Sequence, residues 1–227
     1  MKKEDFDWPG WSLEANPFGE NFDLAARKRM IKGSRILLPL IKKHSKKIGN
    51  PVLEVGPFFR PLVTPKLFPE KKIFYWENDR YVIEYLKKKY KEKHIFPIYC
   101  DLNKLEGASL LKLKVQTLIE MKMKGIKSEK FDSVVVSHVF NYIDYKLFLF
   151  IIKDFMKPKG LIFLNNVVDY GLPHYFSDKR PKSIPEILKS LKEAGFEIIE
   201  KRILDSPFPK HQKNKRLVLV AELKNKK

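Results

Sequence analysis

The chain has 227 residues, enough for one sizeable hydrophobic core, and its 44% of apolar residues excludes a predominantly disordered protein. Lysine and arginine outnumber aspartate and glutamate by 46 to 27, and the resulting formal charge of +19 favours acidic partners such as nucleic acid. Much of this charge lies in helical patterns, where lysines usually face water, so a nucleic-acid partner is one of two interpretations.

The cysteine content and the hydropathy of the chain predict the cellular compartment of the protein. Cys100 is the single cysteine, so no intrachain disulfide can form and a reducing compartment is favoured. The first residues show no apolar signal region, and no stretch reaches the roughly 18 apolar residues that cross a bilayer. We therefore expect a cytoplasmic protein that does not associate with membranes. The sequence carries no signal for the oligomeric state.

Residues 1–49 are predicted to form a cap that belongs to the same domain as the rest of the chain. Aromatic residues, prolines and glycines are dense in residues 1–22, which favours an ordered arm that packs on other residues. A floppy tail is the alternative. Apolar residues between 23 and 47 recur at helical spacing, with a break near Gly33.

In residues 50–227 short apolar strands alternate with amphipathic helices. The predicted strands are 51–56, 72–78, 95–101, 131–139, 160–168, 196–204 and 215–223, and the predicted helices are 79–93, 145–156 and 183–196, with a helical insertion in 102–130. Asp79 is the predicted N-cap of the first of these helices. Such alternation predicts an α/β fold: a doubly wound, mostly parallel sheet with helices on both faces. The link before the last strand is too short for a crossover helix, so that strand is predicted to be antiparallel.

Acidic residues end two successive predicted strands, at the edge of the sheet where ligands bind in such folds. Glu77 follows Gly56 by 21 positions, a spacing that suits a carboxylate accepting hydrogen bonds from ribose hydroxyls. Asp101 ends the next strand and suits an adenine amino group. Either residue also fits a turn or a helix cap. Together, after a glycine turn, they indicate a nucleoside site.

Five motifs in this order resemble the class I S-adenosylmethionine-dependent methyltransferases, which are Rossmann-like: LEVGPFFRP, FYWEND, IYCDL, FDSVVVSHVFNYI and GLIFLNNVV. The resemblance covers about residues 50–223. It implies S-adenosylmethionine as the cofactor, with the first motif at its methionine part, the second at the ribose, the third at the adenine and the fourth at the sulfonium. The implied cofactor-binding residues are Glu54, Gly56, Pro57, Phe58, Glu77, Asn78, Asp101, Leu102 and Ser137.

The glycine loop departs from the pattern of that family, because one glycine stands where three are usual. Pro57 lacks a backbone N–H and Phe58 adds bulk, which disfavours a dinucleotide, whose pyrophosphate needs several free N–H groups. S-adenosylmethionine has no pyrophosphate and tolerates such a loop better. A plain turn at the end of a core strand, and a fold that has lost its cofactor, stay open as alternatives.

Residues for the transfer step are predicted from the ends of the fourth and fifth strands. His138 is a candidate base, although a strand-end histidine is often structural, and Asn141 and Tyr142 are candidates for holding a polar acceptor. The connection 165–181 is a candidate recognition loop or lid, with an ordinary surface loop as the alternative. Its candidate substrate-binding residues are Asn165, Asn166, Tyr170 and His174.

No metal site is expected, because the five histidines are scattered, and no hydrolase or nucleotide-triphosphatase motif is present. The sequence therefore predicts a methyltransferase that acts on an unidentified acceptor, with a small molecule favoured. Two alternatives remain. One is a methyltransferase that uses the basic surface to act on RNA or protein, and the other is a non-catalytic module on the same fold.

Overall fold

The computed structural model describes residues 32–91, 94–104, 107–123, 125–126, 128–168, 176–205 and 215–225. Within these residues seven strands form one sheet. The strands are β1 (Val52–Val55), β2 (Ile73–Glu77), β3 (Ile95–Tyr99), β4 (Phe131–Ser137), β5 (Met156–Val167), β6 (Phe196–Asp205) and β7 (Lys215–Leu223).

The spatial order of the strands is β3-β2-β1-β4-β5-β7-β6. Strands β1 to β5 run parallel, and β7 is antiparallel to both of its neighbours. The predicted doubly wound sheet with an antiparallel last strand is thus confirmed. Because β1 and β4 are neighbours at the centre, the strand order reverses between them, and the carboxyl ends of β1 to β4 meet at one edge. We call this edge the carboxyl edge.

Helices cover both faces of the sheet. They are α1 (Leu38–Lys43), α2 (Arg80–Lys89), α3 (Gly107–Met123), α4 (Tyr145–Ile152) and α5 (Ile184–Glu193). Side-chain caps begin three of them: Asp79 accepts from the backbone of α2, Asp144 from α4 and Ser183 from α5. The predicted N-cap at Asp79 is therefore confirmed, and α3 confirms the helical insertion.

The apolar residues divide into two cores, one on each face of the sheet. One core joins β1, β2 and β4 to α3, α4 and α5, and it includes Trp76 and Phe131, whose rings meet edge to face at 5.9 Å. The other joins the opposite sides of the same strands to α1 and α2. Burial on both faces explains why these strands read as unbroken apolar runs.

Strand β5 begins earlier than predicted. Met156, which the helical pattern included in the preceding helix, pairs with Phe131 as the first residue of β5. The register then shifts before Ser133 pairs with Leu161. Lysines and Pro158 precede the apolar part of the strand, so its first residues carried no strand signal in the sequence.

The predicted aromatic arm, residues 1–22, lies outside the described residues. Among the helices that the structure does describe, none combines the length and the hydropathy needed to cross a bilayer. The cytoplasmic location stays a prediction.

Candidate functional site

The two strand-end carboxylates lie on neighbouring strands of the carboxyl edge. Glu77, the last residue of β2, pairs in register with Tyr99, the last residue of β3. The backbone N–H of Cys100 donates to the carbonyl of Glu77 at 2.8 Å, which extends the ladder to the residue before Asp101. The structure therefore brings Glu77 and Asp101 to the same edge, one strand apart.

The carboxylate of Glu77 is buried and held by three backbone N–H groups. Oε2 accepts from Phe58 at 3.0 Å, and Oε1 accepts from Asn78 at 2.8 Å and from Asp79 at 3.3 Å. Burial raises the pKa of Glu77 to about 7, and the three hydrogen bonds oppose that rise. The carboxylate is thus fixed in position and titrates near neutrality.

Glu54 anchors the loop that follows β1. Its side chain is buried, and its two oxygens accept from the backbone N–H groups of Leu62 at 2.9 Å and Val63 at 2.8 Å. The hydroxyl of Tyr75 donates to the carbonyl of Val63 at 2.6 Å, which fixes the same turn. Burial, together with the charge of Glu77, raises the pKa of Glu54 to about 8. Glu54 therefore stabilises the loop after β1 through Leu62 and Val63. Its direct contact with a cofactor stays a prediction.

The turn between β1 and this loop requires glycine. Gly56 has φ +63°, and a Cβ there would lie 2.8 Å from the side chain of Val139. Phe58 also has a positive φ, 53°, and this conformation accompanies its N–H bond to Glu77. The rings of Phe58 and Phe59 meet edge to face at 4.9 Å. The single glycine of the LEVGPFFRP motif therefore stands at the point of close approach.

Asp101 begins a short 3₁₀ turn, Leu102–Lys104, rather than a longer loop. One carboxylate oxygen accepts from the backbone of Asn103 at 3.1 Å, and the other lies 3.4 Å from the Lys104 ammonium. Leu102 is half-buried beside it. A cavity of about 270 Å³ opens between this turn and α3. Its lining includes Tyr99, Cys100, Asp101, Lys104, Leu113 and Gln116. Burial raises the pKa of the Cys100 thiol, so it stays protonated.

On the other side of the switch point, His138 follows β4 in a strained position. The residue is buried with φ +60°, an uncommon value for a residue other than glycine. Its Nε2 lies 3.3 Å from Nη1 of Arg216 and 3.4 Å from Nδ2 of Asn165. Burial, and secondly the charge of Arg216, lowers the pKa of His138 to about 3. The ring is therefore neutral at physiological pH and a weak base.

Asn165, on β5, links β4, β7 and the segment before α1. Its Nδ2 donates to the carbonyl of Gly33 at 3.1 Å and to Oγ of Ser137 at 3.0 Å. Its Oδ1 accepts from Nη1 of Arg216 at 3.0 Å, and the same nitrogen donates to the carbonyl of Gly33 at 2.8 Å. A Cβ on Gly33 would lie 2.8 Å from Nη2 of Arg216. We call Gly33, His138, Asn165 and Arg216 the polar tether.

Arg216 is the member of the polar tether that sequence reasoning missed. It is fully buried, although arginine rarely is. The available signal was a charged residue at the head of the apolar run RLVLVAEL, which β7 forms. Ser137, by contrast, lies where predicted, at the carboxyl end of β4.

Two of the three asparagines predicted for the acceptor site, Asn141 and Asn166, bond to each other, and Asn141 also bonds to the backbone. Nδ2 of Asn141 donates to the carbonyl of Val167 at 2.7 Å, and Nδ2 of Asn166 donates to Oδ1 of Asn141 at 3.3 Å. Both residues are fully buried. These bonds fasten the turn after β4 to β5, and contact with an acceptor stays a prediction for both.

Tyr142 is half-buried, and its ring lies 5.8 Å from that of Phe176. Tyr170 and His174 lie outside the described residues. Within the described part of the chain, no cluster of three or more His, Cys, Asp or Glu side chains could hold a metal ion.

Comparison with known proteins places the fold. No protein-family model and no curated protein matches the sequence. Solved structures do match. The 1,6-didemethyltoxoflavin-N1-methyltransferase of Burkholderia thailandensis, solved with 1,6-didemethyltoxoflavin and S-adenosylhomocysteine, has a TM-score of 0.59 at 15% identity over 85% of this chain and 79% of its own. The N-methyltransferase NodS of Bradyrhizobium japonicum, solved with S-adenosylhomocysteine, has a TM-score of 0.58 at 16% identity over 95% and 92%.

The chain has the class I methyltransferase fold. The same fold also occurs in the [4+2]-cyclase SpnF, which matches with a TM-score of 0.61 at 12% identity over 85% of this chain and 82% of its own. A methyltransferase fold therefore does not by itself choose the reaction, and the choice depends on the site.

Proposed function

We propose that the protein binds S-adenosylmethionine and transfers its methyl group to a small-molecule acceptor. One observation carries the proposal: the fixed carboxylate of Glu77 stands one strand from Asp101, beside the Gly56 turn. A carboxylate at the first position suits vicinal ribose hydroxyls, and one at the second suits an adenine amino group. Solved structures of the same fold that hold S-adenosylhomocysteine support the choice of cofactor.

The residues at the carboxyl edge fit this cofactor. Each oxygen of a carboxylate has two lone pairs, and Oε2 of Glu77 accepts the single backbone bond from Phe58. It therefore keeps acceptor capacity for a hydroxyl. Pro57 offers no backbone N–H, which is no loss for a ligand without a pyrophosphate. Glu77 with Asn78 would hold the ribose, Asp101 with Leu102 the adenine, and the Gly56 turn the methionine part.

The cofactor, when bound, supplies a methyl group already activated on a sulfonium. The chain then has to orient the acceptor and exclude water, and it needs a base only where the acceptor loses a proton during attack. His138 is neutral and its Nε2 lies beside the Arg216 guanidinium, so uptake of a second proton by its ring is disfavoured. We therefore propose that His138 positions the edge of β4, and that Ser137, hydrogen-bonded to Asn165, presents its hydroxyl beside it.

A small-molecule acceptor is supported by the bacterial neighbour that holds 1,6-didemethyltoxoflavin. The formal charge of +19 favours the alternative of a nucleic-acid acceptor. Salt separates the two: binding of a polyanion weakens steeply as salt rises, whereas binding of an uncharged small acceptor changes little.

Calorimetric titration with S-adenosylmethionine tests the proposal. Glu77→Ala should weaken binding by about 10- to 100-fold, because charge-assisted hydrogen bonds to the ribose are lost. Wild-type affinity should fall below pH 7, since the pKa of Glu77 is raised to about 7 and only the ionised form accepts from both hydroxyls. The variant should lack that pH dependence.

A ligand without the 2′-hydroxyl supplies the control, because Glu77→Ala also frees three backbone N–H groups and loosens the loop. The variant should lose a smaller factor in affinity for the 2′-deoxy analogue of S-adenosylhomocysteine than for S-adenosylhomocysteine itself, because one ribose contact to Glu77 is already absent from the analogue. If the variant loses the same factor with both ligands, the ribose assignment is wrong. If wild type binds neither, the proposed function is wrong.

A further inference from the structure

Helix α3 exposes a continuous row of large apolar side chains. Leu111, Val115, Ile119 and Met123 recur at every fourth position and are 62%, 45%, 50% and 73% exposed. Residues four apart lie on the same face of a helix. We call these four residues the outer stripe. From Leu111 to Met123 there are 12 steps along the helix, about 18 Å at 1.5 Å of rise per residue.

The outer stripe does not serve the core of the domain. The opposite face of α3 does so, through the buried side chains of Leu113, Thr117 and Met121. A helix that is apolar on both faces is normally enclosed, and single exposed apolar residues are common on surfaces whereas ordered rows are not. The row therefore indicates a second apolar surface that covers α3 from outside.

The positive charge around the outer stripe indicates what kind of surface covers it. Lys112, Lys114 and Lys122 are exposed on the same helix, between and beside the members of the outer stripe. The whole chain carries +19. A second copy of the protein docked on this face would bring these lysines against their own counterparts, whereas an anionic surface would neutralise them.

We infer that the outer stripe docks on the surface of an anionic lipid bilayer. In this arrangement α3 lies in the plane of the headgroups, with Val115 and Ile119 inserted among the acyl chains and the lysines beside lipid phosphates. The helix is too short and too charged to cross the bilayer, in agreement with the lack of a spanning helix among the described residues. The sequence prediction of no membrane association rested on the lack of a membrane-spanning segment, whereas docking on the bilayer surface requires no such segment. The inference does not rest on methyl transfer.

Vesicle sedimentation tests the inference. The full chain should bind vesicles of phosphatidylcholine with 30% phosphatidylglycerol and should not bind vesicles of phosphatidylcholine. Ile119→Glu should reduce the partition coefficient at least tenfold. The matched control is Ile203→Glu on β6, which makes the same change at a residue of 52% exposure and should reduce it less than twofold.

Three outcomes would overturn the inference. The first is no binding of the wild type to the anionic vesicles. The second is an equal loss for both glutamate variants, which would mean adsorption by net charge only. The third is a wild-type dimer in analytical ultracentrifugation that Ile119→Glu converts to a monomer, which would assign the outer stripe to a second copy.

A fluorescent probe keeps the inference testable if Ile119→Glu fails to fold. The native Cys100 is buried, so a cysteine introduced by Ile119→Cys can be labelled selectively with a polarity-sensitive dye. Its emission should shift to the blue on addition of anionic vesicles, and the same dye at Ile203→Cys should not shift. Unchanged emission at position 119 would contradict insertion.

Discussion

The two halves of the carboxyl edge are built on different principles. On the side of β1, β2 and β3, the carboxylates of Glu54 and Glu77 are held by backbone N–H groups. On the side of β4, β5 and β7, the polar tether joins side chains to one another and to the carbonyl of Gly33. The first half buries carboxyl groups and the second buries an arginine, so the two halves bury titratable groups of opposite type.

The difference also concerns distance along the chain. Glu54 bonds to residues eight and nine positions away. Arg216 bonds to a residue 183 positions away. The acidic half can thus form from one stretch of sequence, whereas the polar tether can form only after the sheet has assembled. The first half is a local clamp on a loop, and the second ties distant parts of the domain together.

The largest loss of stability is expected from removing Arg216 from the polar tether. Arg216→Ala should lower the free energy of unfolding by about 3 kcal/mol, because two hydrogen bonds from a buried charged group are lost and the Gly33 carbonyl loses a donor. Urea unfolding followed by circular dichroism measures this. Arg202→Ala, at an exposed arginine on β6, is the control and should cost less than about 0.5 kcal/mol. Equal losses in both variants would refute a structural role for the tether.

A smaller loss of stability is expected from changing Glu54, on the β1 to β3 side of the carboxyl edge, and this loss should depend on pH. Glu54→Gln should cost about 2 kcal/mol at pH 6, because the amide NH₂ faces one of the two backbone donors. The pKa of Glu54 rises from 4.5 to about 8 on folding, so the native state binds the extra proton and wild-type stability falls as pH rises between these values. The difference between wild type and variant should therefore shrink by pH 9. A pH-independent difference would show that Glu54 does not titrate as described.

The smallest effect at neutral pH is expected at His138. Asparagine tolerates a positive φ, and the described side-chain contacts of His138 with Asn165 and Arg216 are long, so His138→Asn should cost about 1 kcal/mol at pH 7. The sign of the pH dependence is opposite to that of Glu54. The pKa of His138 falls from 6.5 to about 3 on folding. The stability that the neutral ring contributes is therefore fully present above pH 6.5 and is lost as pH falls. Near pH 5 the variant should equal or exceed wild type in thermal unfolding, and a constant deficit would contradict the lowered pKa.

The sequence predicted the acidic half better than the tether for the same physical reason. Strand ends, a glycine turn and the N-cap at Asp79 are local patterns, and each appears where predicted. The roles of His138 and Asn165 depend on pairing with Arg216 and Gly33, which lie far from them along the chain. Pairing between such distant residues follows from the strand order and from packing.

Helix α3 shows another limit of sequence reasoning. Its helical character was predicted, but apolar residues lie on both faces, so the pattern could not say which face is buried. Packing against the sheet selected Leu113 and Met121 and left Leu111 and Met123 in solvent. The choice required the tertiary structure.

The position of β7 also has a consequence for biosynthesis. β6 is made before β7, yet it joins the sheet only through β7, which lies between it and β5. While the ribosome is still translating residues 215–223, the edges of β5 and β6 that later pair with β7 have no partner. Such unpaired edges invite aggregation. We therefore expect stalled or truncated nascent chains that stop before residue 215 to depend on chaperones far more than the finished protein does.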